Sequence, residues 1–459
     1  MLPKRPRLSD RVIARRHLAD TDRVVLHDQA SCQVMKILPV QWQVLALADG
    51  TRDIEGVALA ARARGIATEP TDLAGFLEHL DEKGLLAEGP LDAPDDAGEP
   101  DEDLLDVPVE AIAGWTLICS GRGVCCEAFS TVLFTPREAR RALVVLDDEL
   151  HDFYPSRGVP RDEGPVAPIM VHGRCGYLND QRRCMLHARA GTTAKPSVCR
   201  SFPMQSVYDG ATVRAAFTFE CACVVDGIGV THGDPPFPRG ARTLREVSRL
   251  VPVARLPERV TLDGSTTAPR AGVRRFYRAL AAATPPRDVA AGLWAIGGAL
   301  ASSGVDAAET AYATEPELDT ARVREAFSEL RAAVSAWRAP LATFRSEADF
   351  TRAGLDWIVA AADRIAQSEL PPAPPLGSRA AEVEAFYVTA TSWGYADALG
   401  RVPLARAFRI RALRLWLARA IAAAPPDDPR AAEPLTVVEV LFRAVGLDSY
   451  AAGPSDGSP

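Results

Sequence analysis

The sequence predicts a mainly α-helical protein made of several domains. Its 459 residues are enough for about three domains, and 47% hydrophobic with 24% charged residues is ordinary globular composition. Apolar residues recur at helical spacing in long segments after residue 270, and eight of the nine cysteines fall between residues 119 and 223. We therefore expect an N-terminal α+β domain, an irregular Cys-rich module and a C-terminal helical bundle.

The N-terminal residues 1–88 predict a small winged-helix-like domain. Two short apolar runs around a turn in residues 23–38 indicate a β-hairpin. Helical patterns follow in PVQWQVLALADG, TRDIEGVALAARARG and TDLAGFLEHLDEKG, each ended by a glycine, and LLAEG predicts a closing strand. A hairpin followed by three short helices and a strand is typical of winged-helix folds.

Two stretches of this domain resemble PqqD-like domains, which recognise peptides beside peptide-modifying enzymes. They are ADGTRDIEGV and the ending FLEHLDEKGLL, and the resemblance covers residues 10–88. It implies a protein or peptide partner bound along an edge strand. The same pattern also suits a helical scaffold, or a winged helix that once bound DNA.

The next segment, residues 89–110, predicts an acidic linker. Residues 88–110 hold ten acidic residues, four prolines and no basic residue. Such a segment cannot bury enough apolar surface to fold alone, so we expect a solvated spacer.

Residues 236–450 predict a helical bundle, because segments rich in Ala, Arg and Leu alternate with Pro-rich breaks. We expect five tryptophans in its core, at positions Trp294, Trp337, Trp357, Trp393 and Trp416. One segment is rich in arginine, and we expect its side chains to line the bundle rather than bind an anion: Arg406, Arg409, Arg411, Arg414 and Arg419. The tail 451–459 predicts disorder.

Net charge and hydropathy limit the classes of partner that we expect for this protein. The net charge of −8 disfavours nucleic acid, and no apolar run approaches the roughly 18 residues that cross a bilayer. The basic N-terminus lacks the apolar core of a signal peptide. We expect a cytoplasmic protein without a membrane partner. In that compartment clustered thiols favour metal or redox chemistry over structural disulfides.

The clustered cysteines form three groups within the predicted module 111–235. CSGRGVCC precedes Thr135-Pro136, which predicts a helix start with Thr as the cap. In the second group an Asn-Asp turn between Cys175 and Cys184 predicts a hairpin that brings the two together. The third group is CAC, and in a strand Cys221 and Cys223 would face one side.

Together these cysteines predict metal binding. The candidate ligands are Cys119, Cys125, Cys126, Cys175, Cys184, Cys199, Cys221 and Cys223. Zinc accepts four thiolates or a Cys/His set, iron–sulfur clusters also accept four thiolates, and the spacing does not separate them. Arg200 follows Cys199 and is the candidate cofactor-binding residue, because it can donate hydrogen bonds to sulfur. Cys32 lies apart and is interpreted as a small buried hydrophobe.

The same segments resemble the YkgJ-like cysteine-cluster family, which is thought to chelate zinc or iron. Its pattern is a CxxCxxCC start, a CxFL step, a further cysteine and an RPxxCRxFP ending. The matching positions here are Cys119, Cys125, Cys126, Cys175, Leu178, Cys184, Pro196, Cys199, Arg200, Phe202 and Pro203. The resemblance covers residues 115–225. The family includes flagellin lysine N-methylases.

Three positions depart from that pattern. Arg122 replaces the second cysteine of the start, so one ligand is lost or replaced, and Lys195 stands where Arg is usual. His187 replaces an aromatic residue, and Cys184-x-x-His187 is a workable ligand spacing. The cluster can therefore hold fewer or different metals than its relatives.

Two function classes follow. In the first, the metal module serves modification of a protein or peptide, and the resemblance implies lysine N-methylation. In the second, the metal stabilises a non-catalytic module for interaction or sensing. No glycine-rich loop of the kind that binds S-adenosylmethionine in doubly wound folds is found, so that cofactor rests on the resemblance alone. The CxxxCxxC, Ser-His-Asp and P-loop signatures are also missing, and the sequence identifies no catalytic residue.

Overall fold

A computed structural model describes the backbone of most of the chain. The described residues are 2–9, 12–16, 23–28, 34–48, 50, 52–63, 65–89, 102–117, 126–127, 132, 134–146, 153–155, 166–168, 170–171, 174–179, 181–191, 194–230, 236–237, 240–247, 253–314, 317–344, 350–399, 402–444 and 447. Cys32, Cys119, Cys125, Arg122 and the predicted tail 451–459 lie outside them.

The protein is mainly α-helical with small sheets, as predicted. It divides into two compact units. Unit 1 consists of Met1–Gly98, Ser130–Val171 and Cys175–Arg200, and unit 2 of Glu99–Phe129, His172–Arg174 and Ser201–Pro459. Residues of the predicted Cys-rich module therefore occur in both units.

Unit 1 begins with five strands and three helices. Strand β1 (Pro6–Leu8) pairs with β5 (Leu86–Glu88), and β2 (Val12–Arg16), β3 (Val24–Asp28) and β4 (Val34–Ile37) form an antiparallel sheet. Between β4 and β5 lie α1 (Pro39–Leu45), α2 (Ile54–Ala63) and α3 (Pro70–Glu82). The predicted hairpin of residues 23–38, the three helices and the closing strand are confirmed.

Apolar residues at helical and alternating spacing form the core of this region, because one face of each element is apolar. The buried side chains include Val12, Ala14, Val24, Leu26, Trp42, Val57, Ala61, Leu73, Leu77 and Leu80. Strand β2 was not predicted, and its described side chains, Val12 and Ala14, are buried on the same face as Leu26 of β3.

The remainder of unit 1 is built from short elements. They are α4 (Pro136–Val145), β7 (Phe153–Pro155), β8 (Val166–Pro168), β9 (Met170–Val171), β10 (Arg174–Cys175), α5 (Met185–Ala190) and α6 (Ser197–Ser201), of which β10 and α6 reach the boundary of unit 2. Helix α4 contacts β2 and α5. It therefore joins the N-terminal strands of the unit to its cysteine-bearing loops.

Unit 2 contains a four-stranded mixed sheet beside its helices. Its strand order is β13 (Val253–Arg255), β11 (Met204–Tyr208), β12 (Val213–Phe217) and β6 (Val109–Ala111). Strand β6 and the buried Leu104 belong to the segment predicted as an acidic linker. Asp103 and Asp106 in that segment pair with Arg255 and Arg245 at 2.7 and 2.9 Å. Part of the acidic segment is thus ordered by pairing with basic residues far along the chain.

The buried Asp209 ends β11 and connects this sheet to the helices. Its carboxylate accepts hydrogen bonds from Thr212 N at 2.9 Å, Ala211 N at 3.0 Å and the Tyr395 hydroxyl at 2.7 Å. Burial acts to raise the pKa of Asp209, but these hydrogen bonds and the charge of Arg278 outweigh it, so the net shift is downward.

The helices of unit 2 form the predicted bundle, preceded by α7 (Ala222–Asp226) and a hairpin of β14 (Arg259–Asp263) and β15 (Thr266–Pro269). They are α8 (Arg270–Ala282), α9 (Val289–Ser302), α10 (Val305–Ala313), α11 (Thr320–Phe344), α12 (Phe350–Gln367), α13 (Arg379–Trp393), α14 (Leu404–Ala423) and α15 (Pro434–Ala444). Helix α14 packs against α9, α12 and α15, and fifteen of its twenty residues are buried. A helix buried on nearly every face lies in the middle of a bundle, where its charged side chains need partners.

The tryptophans and arginines of the bundle lie largely where the sequence predicted. Trp416 is fully buried, Trp294, Trp357 and Trp393 pack partly buried against the core, and the Trp337 side chain lies outside the described residues. On α14, Arg414 pairs with Glu439 at 2.7 Å, Arg419 with Glu384 at 2.7 Å, and Arg411 with Asp397. These buried arginines line the bundle as ion-pair partners, and each satisfies a carboxylate of a neighbouring element.

Among the described helices, none is both long and apolar enough to cross a membrane.

Candidate metal-binding site

The N-terminus of α4 organises the cysteine-bearing loops of unit 1. Thr135 caps the helix as predicted: its hydroxyl accepts from Glu138 N at 3.2 Å, and the Glu138 carboxylate accepts from Thr135 N at 2.9 Å. This reciprocal capping box satisfies two backbone donors that the helix itself leaves open. Phe134, just before the cap, is buried and places its ring 5.7 Å from the ring of Tyr177.

Cys175 and Cys184 lie at the two ends of a tight loop. Leu178 N donates to the carbonyl of Cys175 at 3.0 Å, and Met185 N donates to the carbonyl of Tyr177 at 2.8 Å. Leu178 and Cys184 form an isolated antiparallel bridge. A hairpin-like turn therefore lies between the two cysteines, with Asn179 N donating to the Arg183 carbonyl at 3.0 Å, and their meeting at one centre stays a prediction.

Tyr177 lies beside both of these thiols. Burial, and after it the charges of the Cys175 and Cys184 sulfurs, raise the pKa of the Tyr177 hydroxyl well above its ordinary value. The phenol therefore stays neutral next to the two sulfurs. A neutral hydroxyl can donate a hydrogen bond, which an anionic thiolate accepts.

Cys199 and Arg200 lie on the short helix α6, which Glu138 holds from outside. Ser197 N, at the first position of that helix, donates to Glu138 Oε1 at 2.5 Å. Arg200 Nη2 lies 3.8 Å from the same oxygen, and both side chains are more than nine-tenths buried. Glu138 therefore joins the helix after the first cysteine group to the helix that carries the last cysteine of the second group.

The guanidinium of Arg200 has N–H donors that no described residue accepts from. Its Nε and Nη2 atoms are buried and have no hydrogen-bond partner within the described part of the chain. A buried donor without an acceptor costs about 1–3 kcal/mol, and more when it is charged. Such a donor next to a cysteine fits the predicted role of Arg200, because anionic sulfur accepts charge-assisted hydrogen bonds.

His187 lies on α5, one turn after Cys184, and is half-buried. Burial, and after it the charge of Lys195, lower the pKa of His187. The shift favours the neutral imidazole, which is the form that binds metal.

Three further described cysteines belong to unit 2. Cys126 is half-buried, and both it and the buried Glu127 are helical. Cys221 and Cys223 are buried in the apolar core of the unit. CAC does not form the strand in which the two side chains would face one side. Cys221 is the N-cap of α7 in extended backbone, Cys223 lies within the helix, and Val224 N donates to the Cys221 carbonyl at 3.0 Å.

Helix α7 packs tightly against Trp115. The Trp115 Nε1 donates to the Val224 carbonyl at 2.8 Å, and its ring stacks on Phe217 with the centroids 3.5 Å apart. A Cβ at Gly227 would lie 2.3 Å from the Thr116 carbonyl oxygen, so only glycine permits this approach. The two buried thiols are thus held by close packing.

The six described cysteines are thiols rather than disulfide partners. Within the described residues, no three His, Cys, Asp or Glu side chains are grouped closely enough to hold a metal ion. Cys119 and Cys125 lie outside that part of the chain. The donor chemistry in unit 1 nevertheless fits a thiolate-bound metal, since a neutral phenol and a guanidinium with open donors accompany the cysteines.

Sequence reasoning missed Glu138 and Tyr177. The capping box Thr135-x-x-Glu138 is a recognisable signal for the first, but it indicates only a helix start. Nothing local in CGYL distinguishes Tyr177 from a core tyrosine. Comparison with known proteins adds no assignment: no family model matches the chain, and neither the curated proteins nor the solved structures include a match.

Proposed function

We propose that this protein binds zinc or an iron–sulfur cluster through its clustered cysteines and serves modification of a protein or peptide substrate. Lysine N-methylation is the reaction that the sequence resemblance implies. The proposed ligands are the eight clustered cysteines named above, and Arg200 is the proposed hydrogen-bond donor to their sulfurs. S-adenosylmethionine is proposed as a cofactor only if the reaction is methylation.

The main observation that supports metal binding is the buried guanidinium of Arg200. Its two open donors adjoin Cys199 in the chain and need an acceptor that the described residues do not supply. Negatively charged sulfur around a metal is such an acceptor. The turn in which Leu178 bridges Cys184, and the influence of both the Cys175 and Cys184 sulfurs on Tyr177, support the same interpretation.

The test is metal analysis of the full-length protein after anaerobic purification, combined with visible absorption and proteolysis during chelation. A colourless protein that contains zinc, or a coloured one that contains iron and sulfide, supports the proposal and selects the metal. Chelation is then expected to increase cleavage within residues 175–200. Metal-free protein with nine reactive thiols and unchanged protease resistance would contradict it.

The substrate part of the proposal rests on the N-terminal strands, which we interpret as a winged-helix-like peptide-recognition domain. Among the described strands, β4 ends the sheet β2-β3-β4. Apolar side chains lie exposed beside that edge: Val34 is 60% exposed, Leu38 41% and Val40 46%. An edge strand with adjacent apolar side chains can accept a peptide as an additional strand.

Calorimetry with peptides encoded near the gene tests this partner. Val34→Lys is expected to weaken binding, because it places a charge at the proposed contact. Leu59→Lys is the matched control, since Leu59 is 64% exposed on α2 rather than beside the strand edge. Equal binding by both variants would remove the strand edge from the proposal, and no binding by the unmodified protein would favour a scaffold role.

A second candidate function, a non-catalytic module stabilised by metal, is favoured by one observation. Cys221 and Cys223 are packed in the largest apolar core of unit 2, where access for a substrate is poor. Equilibrium dialysis with labelled S-adenosylmethionine separates the two classes. Binding of this cofactor by the metal-loaded protein supports methyl transfer, and its absence supports the structural module.

A further inference from the structure

The carboxylate of Glu138 makes three contacts in a buried environment. One oxygen accepts from Thr135 N at 2.9 Å, and the other accepts from Ser197 N at 2.5 Å and lies 3.8 Å from Arg200 Nη2. The Glu138 side chain is 2% exposed. A carboxylate taken this far out of water persists only where donors and a positive charge compensate it.

The separation of Glu138 and Arg200 has a chemical consequence. At 3.8 Å the two charges attract each other, but the distance exceeds hydrogen-bond range. Glu138 therefore offsets the buried positive charge without occupying the N–H groups at Nε and Nη2. Among the described residues, nothing accepts from those groups, which leaves them to an acceptor outside that part of the chain.

Glu138 also determines the position of α6. This helix has five residues, from Ser197 to Ser201, and Cys199 is the third of them. A helix of this length is not stable by itself, so an external acceptor at its first N–H contributes directly to its placement. Loss of that acceptor would remove one of the contacts that place Cys199 and Arg200.

We propose that Glu138 is a positioning residue of the metal site: it holds the Cys199–Arg200 segment through Ser197 N–H and keeps the Arg200 donors directed to the metal-bound sulfurs. This inference rests on the proposed metal binding. Partners that orient metal ligands typically change metal affinity by about 10–100-fold when they are altered.

The test compares metal release from full-length variants. Each metal-loaded protein is incubated with EDTA, desalted at intervals and analysed for retained metal by mass spectrometry. Glu138→Gln keeps the side-chain size but loses the charge and one acceptor oxygen. It is expected to release metal about 10-fold faster or more.

Thr135→Ala is the matched control. It removes the hydroxyl that caps α4 and so lowers the stability of the helix, while the Glu138 carboxylate, Ser197 N and Arg200 are left in place. We expect the rate of metal release from Thr135→Ala to be within about twofold of the rate from the unmodified protein. The unfolding temperature should be lower in both Thr135→Ala and Glu138→Gln. Equal acceleration in both variants would reduce Glu138 to a helix cap and overturn the inference.

Ser197→Pro tests the same link from the other side and covers the case in which Glu138→Gln does not fold. Proline is tolerated at the first helical position, yet it lacks the N–H that Glu138 accepts. Faster metal release in this variant supports the inference, and unchanged release contradicts it. Metal-free unmodified protein would overturn the proposed function and this inference together, whereas metal-loaded protein with unchanged variants overturns the inference alone.

Discussion

Substitution by alanine is expected to affect stability differently at two adjacent glycines of α9, Gly297 and Gly298. A Cβ at Gly297 would lie 2.7 Å from the Ala405 carbonyl oxygen and 2.7 Å from Arg409 Cγ, both on α14. At Gly298 a Cβ would meet nothing within 4 Å. Helices α9 and α14 therefore approach each other at Gly297, and this approach requires a residue without a side chain.

The expected free energies follow from two contributions. Alanine is favoured over glycine inside a helix by about 1 kcal/mol, and this gain applies to both positions. Overpacking costs about 1–3 kcal/mol, and at Gly297 one of the close contacts is with the Ala405 backbone carbonyl, which cannot move away by a change of rotamer. Gly298→Ala is thus expected to stabilise by up to about 1 kcal/mol. Gly297→Ala is expected to be less stable than Gly298→Ala by about 1–3 kcal/mol, since the propensity term cancels between them.

The assay is thermal unfolding followed by circular dichroism, which reports the helices of unit 2. A change of 1 kcal/mol shifts the midpoint of a large domain by about 2–4 °C, so the two variants should differ by several degrees. Equal midpoints, or a higher midpoint for Gly297→Ala, would refute the inferred close approach of α9 and α14. The neighbouring substitution controls for helix propensity and for any effect on the unfolded chain.

Three other outcomes are expected. Glu439→Gln should destabilise unit 2 by about 3–5 kcal/mol in urea unfolding, because it leaves the buried Arg414 guanidinium without its carboxylate; a loss below 1 kcal/mol would show that the pair is solvated. Because the pKa of Asp209 is lowered in the folded protein, its ionised carboxylate stabilises the fold above about pH 4, and this contribution is lost as the pH falls through the folded-state pKa. The thermal unfolding midpoints of the unmodified protein and Asp209→Asn should therefore converge as the pH falls below the folded-state pKa. A difference between the two midpoints that does not change with pH would contradict this. Cys199→Ser should lower metal content measured by mass spectrometry, whereas Cys32→Ser should not, since Cys32 lies apart from the cysteine groups; equal losses would oppose the predicted ligand set.

Local signals in the sequence were sufficient for most helices and for one part of the site. Thr135-Pro136 predicted the start of α4, because a cap and a first-position proline act within one turn. The Asn-Asp turn predicted a hairpin between Cys175 and Cys184, and Leu178 bridges Cys184 across that turn. The strand considered for CAC does not form, because a period of two residues over three positions does not distinguish a strand from the start of a helix.

Contacts between distant residues were not predictable in this way. Strand β6 pairs with β12 about a hundred residues later, and its acidic surroundings resembled a linker when read alone. The Arg414–Glu439 and Arg411–Asp397 pairs depend on which faces of the helices meet, which periodicity does not determine. Glu138 belongs to the same class: its capping box is local, but its contact with Ser197 spans 59 residues.

The cysteine-bearing elements share one physical weakness. Cys184 precedes a helix of six residues, Cys199 lies in one of five, and Cys221 precedes another of five. Helices shorter than about 12 residues are marginal in water, so these elements depend on tertiary contacts for their placement. In unit 1 such contacts include those of the residues around the start of α4, where Phe134 packs on Tyr177 and Glu138 holds α6. A metal bound by thiolates would add cross-links at the points where regular structure contributes least, and its binding free energy would then be folding free energy for these loops. That dependence is the physical reason to expect chelation to loosen residues 175–200 before it affects the helical bundle.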